Sequence, residues 1–307
     1  METCAPPQVA LRSLDQLWFQ VGGTRCNLAC THCFISCHPH NTSFGFLSLA
    51  DVRRRLDEAV QLGVKEYYFT GGEPFLNPQI ADILEATLEV GPATVLTNAI
   101  PLREKSVAHL KTIADRSRYS LELRVSIDGP DAATNDPIRG EGSFEGSLRG
   151  LALLAESGFL PILTAVETWE ATEAPRMLAR LVGALCAAGV ARPRVKLIPT
   201  LRIGMEEKRT QGYAGHERVT REMLDGFDET QLLCSHARIV TDRGVAVCPI
   251  LIEAPDAHLG QTLEEASRPF GLSHGACTTC WLHGSICSNF SSSEWSPRQK
   301  SASGERS

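Results

Sequence analysis

Cys26-Asn27-Leu28-Ala29-Cys30-Thr31-His32-Cys33 follows the apolar run Leu17 to Val21, and its thiols are separated by three residues and then by two. Three thiolates this close together suit three irons of a cubane [4Fe–4S] cluster, leaving the fourth iron without a protein ligand. An iron left open in this way is a place for chemistry. Zinc is the rival reading. It would close its tetrahedron with a fourth Cys or His, and Cys37, His38 and His40 stand near enough in sequence to supply one. On this stretch alone both readings stand, because cysteine spacing by itself does not choose the metal.

Outward from the loop, strand-like apolar runs alternate with helical patterns. Ser48-Leu49-Ala50-Asp51 opens a helix with Ser48 as N-cap and Val52, Leu56, Ala59 and Val60 on one face, and Gly63 ends it. Strand Glu66 to Thr70, helix Pro78 to Glu89, strand Thr94 to Thr97 and helix Leu102 to Ala114 continue the pattern. Strand Leu121 to Ile127, helix Phe144 to Ser157, strand Pro161 to Val166, helix Ala174 to Ala188 and strand Arg194 to Ile198 complete it. Such units with short connections predict an α/β fold of parallel strands joined by right-handed crossovers. Barrels of this kind place their chemistry at the C-terminal ends of the strands. The cysteine loop, Gly71-Gly72-Glu73-Pro74, Asn98 and Asp128 all fall there.

The chain has 307 residues, 43% hydrophobic and 21% charged, with a formal charge of −6 and eleven cysteines. It is long enough for one large core or a core plus a small second domain. The net charge offers no broad field to attract nucleic acid, and no apolar run is long enough to span a bilayer. Met1 to Pro7 lacks the basic and apolar regions of a signal peptide. A cytoplasmic protein is therefore expected, and in a reducing compartment many cysteines point to metal or cluster ligation rather than disulfides. Cys26, Cys30 and Cys33 form one group, while Cys234, Cys248, Cys277, Cys280 and Cys287 form another. Cys186, in a Leu-rich run, reads as a buried small hydrophobe.

The pairing of C-x3-C-x2-C with a downstream strand and Gly71-Gly72-Glu73-Pro74 resembles the radical S-adenosylmethionine (SAM) superfamily, from about Leu17 to Pro199. The resemblance implies a partial (β/α)6 TIM-like barrel over 16–203, after a lead-in over 1–15. It also implies that Cys26, Cys30 and Cys33 ligate the cluster and that SAM chelates the open iron. One electron, from a reductant such as flavodoxin or ferredoxin, would then release a 5′-deoxyadenosyl radical that abstracts a substrate hydrogen. His32 stands where the family commonly has an aromatic residue near the adenine, with a surface histidine as the plain alternative. Gly71, Gly72, Glu73 and Pro74 correspond to the turn that binds the methionyl ammonium. Ser126 and Asp128 match a Ser-x-Asp pattern that contacts SAM ribose or carboxylate, and Arg139 matches an arginine near the SAM carboxylate. Asn98 and, more weakly, Glu167 are pocket candidates.

Cys234, Gly244 and Cys248-Pro249, then Cys277, Cys280 and Cys287, resemble the SPASM and Twitch auxiliary-cluster regions. Asp242-Arg243-Gly244 between β-branched runs is a hairpin signal that would bring Cys234 and Cys248 together. After a connection and helix over 204–229, a small C-terminal domain over 230–290 is expected to hold one auxiliary [4Fe–4S] cluster. Cys234, Cys248, Cys277 and Cys280 are the leading ligands. Cys287 is an alternative ligand or a spare thiol able to donate hydrogen, and structural zinc is the plain alternative. Residues 291–307 read as a disordered tail. The substrate reading placed first is a small natural-product precursor such as a nucleoside, sugar or aminocyclitol, oxidised or given sulfur with the auxiliary cluster's help. Maturation of a ribosomal peptide or protein by oxidation, cross-linking or epimerisation is the alternative.

Overall fold

The structure, a computed structural model, describes residues 5–284 and Ile286. Cys287 and the expected tail over 291–307 lie outside the described residues. After Gln8–Val9 (β1), Gln16–Phe19 (β2) starts the central sheet. All four β2 residues are buried, as in a parallel strand covered on both faces. Leu49–Gln61 (α1), Glu66–Phe69 (β3), Ile80–Thr87 (α2), Ala93–Thr97 (β4), Glu104–Arg116 (α3) and Leu121–Ser126 (β5) follow. Two helices, Ala132–Arg139 (α4) and Ser143–Glu156 (α5), precede Ile162–Val166 (β6), Ala174–Ala187 (α6) and Val195–Ile198 (β7). Strands β2 to β7 pair in chain order, each parallel to the last. This is the α/β architecture expected, consistent with a partial barrel.

Local chemistry explains the elements. The Ser48 hydroxyl accepts from the Asp51 N–H at 3.1 Å and caps α1, and Gly63 at φ +74° lets the chain turn away. Val52, Leu56 and Ala59 are buried, but Val60, expected on the same face, is 53% exposed. It stands one position round the helix from Ala59, on the solvent side. Cys186 is likewise exposed rather than buried, because α6 turns Met177, Leu181 and Leu185 inward. Trp18 stacks on Tyr68 at 4.3 Å, and Phe19 on Phe69 at 5.4 Å. Each such buried side chain contributes about 1.5–3 kcal/mol.

The C-terminal third comprises Met205–Thr210 (α7), Arg221–Leu224 (α8), Ala237–Thr241 (β8), Gly244–Ala246 (β9), His258–Gly260 (β10), Phe270–Gly271 (β11) and Gly275–His283 (α9). The predicted hairpin is β8–β9. It joins the barrel sheet: β8 runs parallel to β2, with Gln16 opposite Ala237 and Phe19 opposite Val240. The described sheet therefore has nine strands, ordered β10-β9-β8-β2-β3-β4-β5-β6-β7. At the hairpin tip, Asp242 accepts from the Gly45 N–H at 2.7 Å, and the Arg243 guanidinium lies 4.3 Å over the Phe44 ring. The lead-in pairs with β11, placing Val9 opposite Phe270. Among the described residues no helix is long and apolar enough to cross a membrane.

Candidate active site

Backbone hydrogen bonds make one unit of the cysteine loop and the Gly-Gly-Glu-Pro turn. The Gly72 N–H donates to the Gly23 carbonyl at 2.9 Å, and the Glu73 N–H to the Arg25 carbonyl at 3.0 Å. A Cβ on Gly72 would stand 2.0 Å from the Arg25 oxygen. Gly71 adopts φ +131°, and a Cβ there would stand 2.7 Å from the Gly22 nitrogen. Only glycine permits this approach. Among the described residues the Gly71 and Gly72 carbonyls accept no hydrogen bond, so they remain as acceptors for a donor that is not protein. The Asn77 amide braces the base of the loop, donating to Val21 and Leu47 carbonyls at 2.9 and 2.8 Å.

Burial pushes the Cys26 thiol up to about 12, with Glu73, Cys30 and Cys33 adding to it against the Leu28 N–H. Burial likewise pushes Cys30 up to about 11, opposed first by Arg139. Cys26 and Cys30 each feel Cys33 electrostatically, which places the three thiols in one group. Cys33 is pulled down to about 6, chiefly by a hydrogen bond from the Cys37 thiol. The Cys37 N–H also donates to the Cys33 sulfur at 3.2 Å. Cys37 is thus a buried neighbour of the third thiol. Thiolates are the metal ligands, so binding a metal here would release protons from Cys26 and Cys30.

Glu73 is fully buried and accepts three hydrogen bonds. Thr97 Oγ1 donates at 2.7 Å, the Asn98 N–H at 2.8 Å and the Phe75 N–H at 3.0 Å. Burial still pushes its carboxyl up to about 7 against these donors. Pro74 opens a short 3-10 turn over Pro74–Leu76. Asn98, a pocket candidate by sequence, donates from Nδ2 to Asn27 Oδ1 at 2.8 Å and stands 3.8 Å from the Cys26 sulfur. It ties the end of β4 to the loop. Thr97 and Asn27 went unremarked in the sequence, and the only signal for Thr97 was its place beside Asn98.

Asp128 gathers His32 and Arg139. Its Oδ2 is 2.7 Å from His32 Nε2 and 2.6 Å from Arg139 Nε, and all three side chains are buried. Oδ1 accepts from the Val166 N–H at 2.7 Å, and the Asp128 N–H donates to Asn135 Oδ1 at 2.9 Å. Burial raises the Asp128 carboxyl, but Arg139 and then His32 outweigh it and hold the group well below the usual range. Asp128 therefore spends both oxygens inside the protein and fixes the other two residues. Arg139 also brings its carbonyl within 3.8 Å of the Cys30 sulfur. Ser126 ends β5, partly exposed.

A second group lies beside β8 and β9. Cys234, Cys248, Cys277 and Cys280 line one apolar chamber with Leu233 and Phe270. Cys277 and Cys280 come from one face of α9, at i and i+3. All four thiols are raised by burial, Cys280 to about 12, and Cys234 feels each of the other three. Among the described residues no three Cys, His, Asp or Glu side chains converge on one ion position. Four thiols spread around a chamber suit a cluster, whose irons each take one thiolate. Beneath them Arg238, fully buried, donates to the carbonyls of Cys234 and Ala237 at 2.7 Å, Ala266 at 2.8 Å and Arg268 at 2.9 Å. Sequence reasoning passed over it.

A polar cleft of about 270 Å³ separates the ends of β6 and β7 from α9. Glu167, Thr200, Arg202, Tyr213, Thr279 and His283 line it. The Tyr213 and Thr279 hydroxyls meet at 2.7 Å, and the Arg202 guanidinium lies 4.3 Å over the Tyr213 ring. Burial raises the Glu167 carboxyl.

Residues 21–168 match the family model described as "Radical SAM superfamily". The antilisterial bacteriocin subtilosin biosynthesis protein AlbA of Bacillus subtilis is 30% identical over 136 residues, 44% of this chain and 29% of that protein. An AdoMet-dependent heme synthase of Oleidesulfovibrio alaskensis is 30% identical over 143 residues, 43% of this chain and 33% of that protein. The aligned stretch thus spans a third or less of either relative. Streptococcus suis SuiB, solved with its precursor peptide SuiA, superposes with a TM-score of 0.60 at 17% identity, covering 80% of this chain and 62% of that chain. That likeness is one of fold. The loop, the Gly-Gly-Glu-Pro turn and β3 to β6 all fall inside the stretch that matches the radical SAM superfamily.

Proposed function

We propose that this protein is a radical SAM enzyme that oxidatively matures a peptide, using a second cluster held by Cys234, Cys248, Cys277 and Cys280. The observation that carries the chemistry is the joining of Cys26, Cys30 and Cys33 to the Gly71–Pro74 turn by the Gly72 and Glu73 N–H bonds. When bound, the first cluster and SAM supply a reductively generated 5′-deoxyadenosyl radical for hydrogen abstraction. The Gly71 and Gly72 carbonyls, with the Glu73 carboxyl behind them, receive an ammonium. Arg139, gripped at Nε by Asp128, turns its remaining N–H groups to a carboxylate. Asp128 fixes the His32 ring for packing on the adenine. The cleft from Glu167 to His283 admits substrate and shields it from water.

The substrate class rests on the relatives. A small natural-product precursor is the first expectation from sequence, but the bacteriocin biosynthesis protein AlbA and SuiB with its precursor peptide favour the peptide alternative. The heme synthase relative supports a second reading, a non-peptide substrate. Anaerobic incubation of the reconstituted protein with SAM and dithionite tests the chemistry. 5′-Deoxyadenosine is expected from the intact chain and not from Cys26→Ala, Cys30→Ala or Cys33→Ala. For the substrate, peptides encoded beside the gene are added and weighed by mass spectrometry. A product two hydrogens lighter is expected; a peptide that gains sulfur, or that remains unchanged while 5′-deoxyadenosine accumulates, argues against the reading.

A further inference from the structure

Arg238 is a buried guanidinium with no acid to face. It is 0% exposed, four backbone carbonyls take its N–H groups, and among the described residues no Asp or Glu lies within ion-pair distance of it. Carbonyls satisfy the donors but leave the charge uncompensated, and burying an unpaired charge is costly. The groups that do act on it electrostatically are the thiols of Cys234 and Cys248. One of its acceptors is the carbonyl of Cys234 itself. The chamber above is otherwise lined by Leu, Val, Ile, Phe and Ala side chains, which offer no other cation.

We propose that Arg238 is the built-in counter-charge of the auxiliary [4Fe–4S] site, a positioning residue that favours one-electron reduction of the group held by the four cysteines. The proposal rests on the auxiliary-site reading above. A cubane with four thiolates is a dianion when oxidised and a trianion after gaining one electron, and net charge is one of the terms that set its potential. A fixed cation buried beside a low-dielectric chamber stabilises the trianion more than the dianion. Electron acceptance from a substrate radical needs such a bias, because the acceptor must be reduced as the substrate is oxidised.

The test uses the full chain with Cys26, Cys30 and Cys33 replaced by Ala, so that only the auxiliary group can remain, reconstituted anaerobically and titrated with dithionite under EPR. Arg238→Lys keeps the charge, while Arg238→Gln and Arg238→Met remove it. The Lys variant is expected to hold the parent potential. The neutral variants are expected to lose at least tenfold in the equilibrium constant for one-electron reduction, a downward shift of about 59 mV or more. A smaller shift in a neutral variant that retains its iron overturns the proposal. If the neutral variants lose iron while Arg238→Lys keeps it, the charge requirement is upheld. If Lys loses it as well, Arg238 is only a cap on four carbonyls and the proposal falls. A parent chain that takes up no iron in this background sinks the auxiliary-site reading itself.

Discussion

Replacing Glu73 with Gln tests the charge balance behind the Gly-Gly-Glu-Pro turn. Burial drives the carboxyl toward the neutral acid, and three donors drive it toward the anion. With burial ahead, its pKa goes from an ordinary 4.5 to about 7 in the folded chain. The folded state then binds the proton more tightly than the unfolded one. The associated stability is fully present below pH 4.5, is lost as pH rises through 7, and stays lost above. A shift of about 2.5 pH units corresponds to about 3 kcal/mol. Glu73→Gln carries no proton and lacks this slope, although its amide meets one of the three donors at every pH. Urea unfolding of the cluster-free, reduced protein at several pH values is the assay. The stability of the parent relative to Glu73→Gln is expected to fall by about 3 kcal/mol across the window. Titrations common to both chains, that of Cys33 included, cancel in the difference. A difference constant within about 0.5 kcal/mol refutes the reasoning and makes the carboxylate ionised throughout.

Thr97→Val removes the 2.7 Å donor to Glu73 and the acceptor of the Ala99 N–H. It is expected to cost about 1.5–3 kcal/mol in urea unfolding, and a change within about 0.5 kcal/mol would show that the hydroxyl is dispensable. Gly72→Ala drives a Cβ into the Arg25 carbonyl, a clash no rotamer relieves. At least about 1–3 kcal/mol of stability and most 5′-deoxyadenosine formation should go with it, and normal turnover would refute the docking of turn on loop. Asp128→Asn strands the buried Arg139 and is expected to cost about 3–5 kcal/mol at neutral pH. Because the folded pKa of Asp128 is depressed, its contribution is present above the ordinary 3.8 and lost as pH falls below it. The variant should lack that acid limb, and an unchanged acid limb contradicts the assignment.

The strand and helix repeat was legible because most of the parallel strands are largely buried and read as apolar runs, Leu17 to Val21 being the clearest, while β7 is only half-buried along its length. Four features were not. Helix α4 carries Pro137, which argues against a helix, yet Asp131 caps it from outside by accepting the Thr134 N–H at 2.9 Å. Helix α7 falls in the polar stretch taken for a connection, where no apolar stripe marks it. Helix α9 is Gly-Ala-Cys-Thr-Thr-Cys at its start, weak in helix formers, and is held by burying Ala276, Cys277 and Cys280. The pairing of β8 with β2 joins residues more than two hundred positions apart, beyond any local pattern. In the site, the motifs announced the cysteines, glycines and Glu73. The roles of Thr97 and Arg238 depend on what another strand or chamber brings to them, so neither residue carries a mark of its own.

The β2–β8 pair also constrains how the two thiol groups work together. The strands are parallel and in register from Gln16 opposite Ala237 to Phe19 opposite Val240. Cys26 follows the C-terminal end of β2, whereas Cys234 precedes the N-terminal end of β8. Cys248, after the antiparallel β9, returns to that same end, since Ala246 lies opposite Ile239. Cys26 and the Cys234–Cys248 pair are thus rooted at opposite ends of one paired segment, roughly 10 Å long at about 3.3 Å per residue. A shared ladder of hydrogen bonds resists changes in that spacing. An electron can cross such a gap without contact, while a sulfur atom has to touch the carbon it joins. On the reading proposed above, an electron accepted at the chamber over Arg238 asks for no change in that spacing.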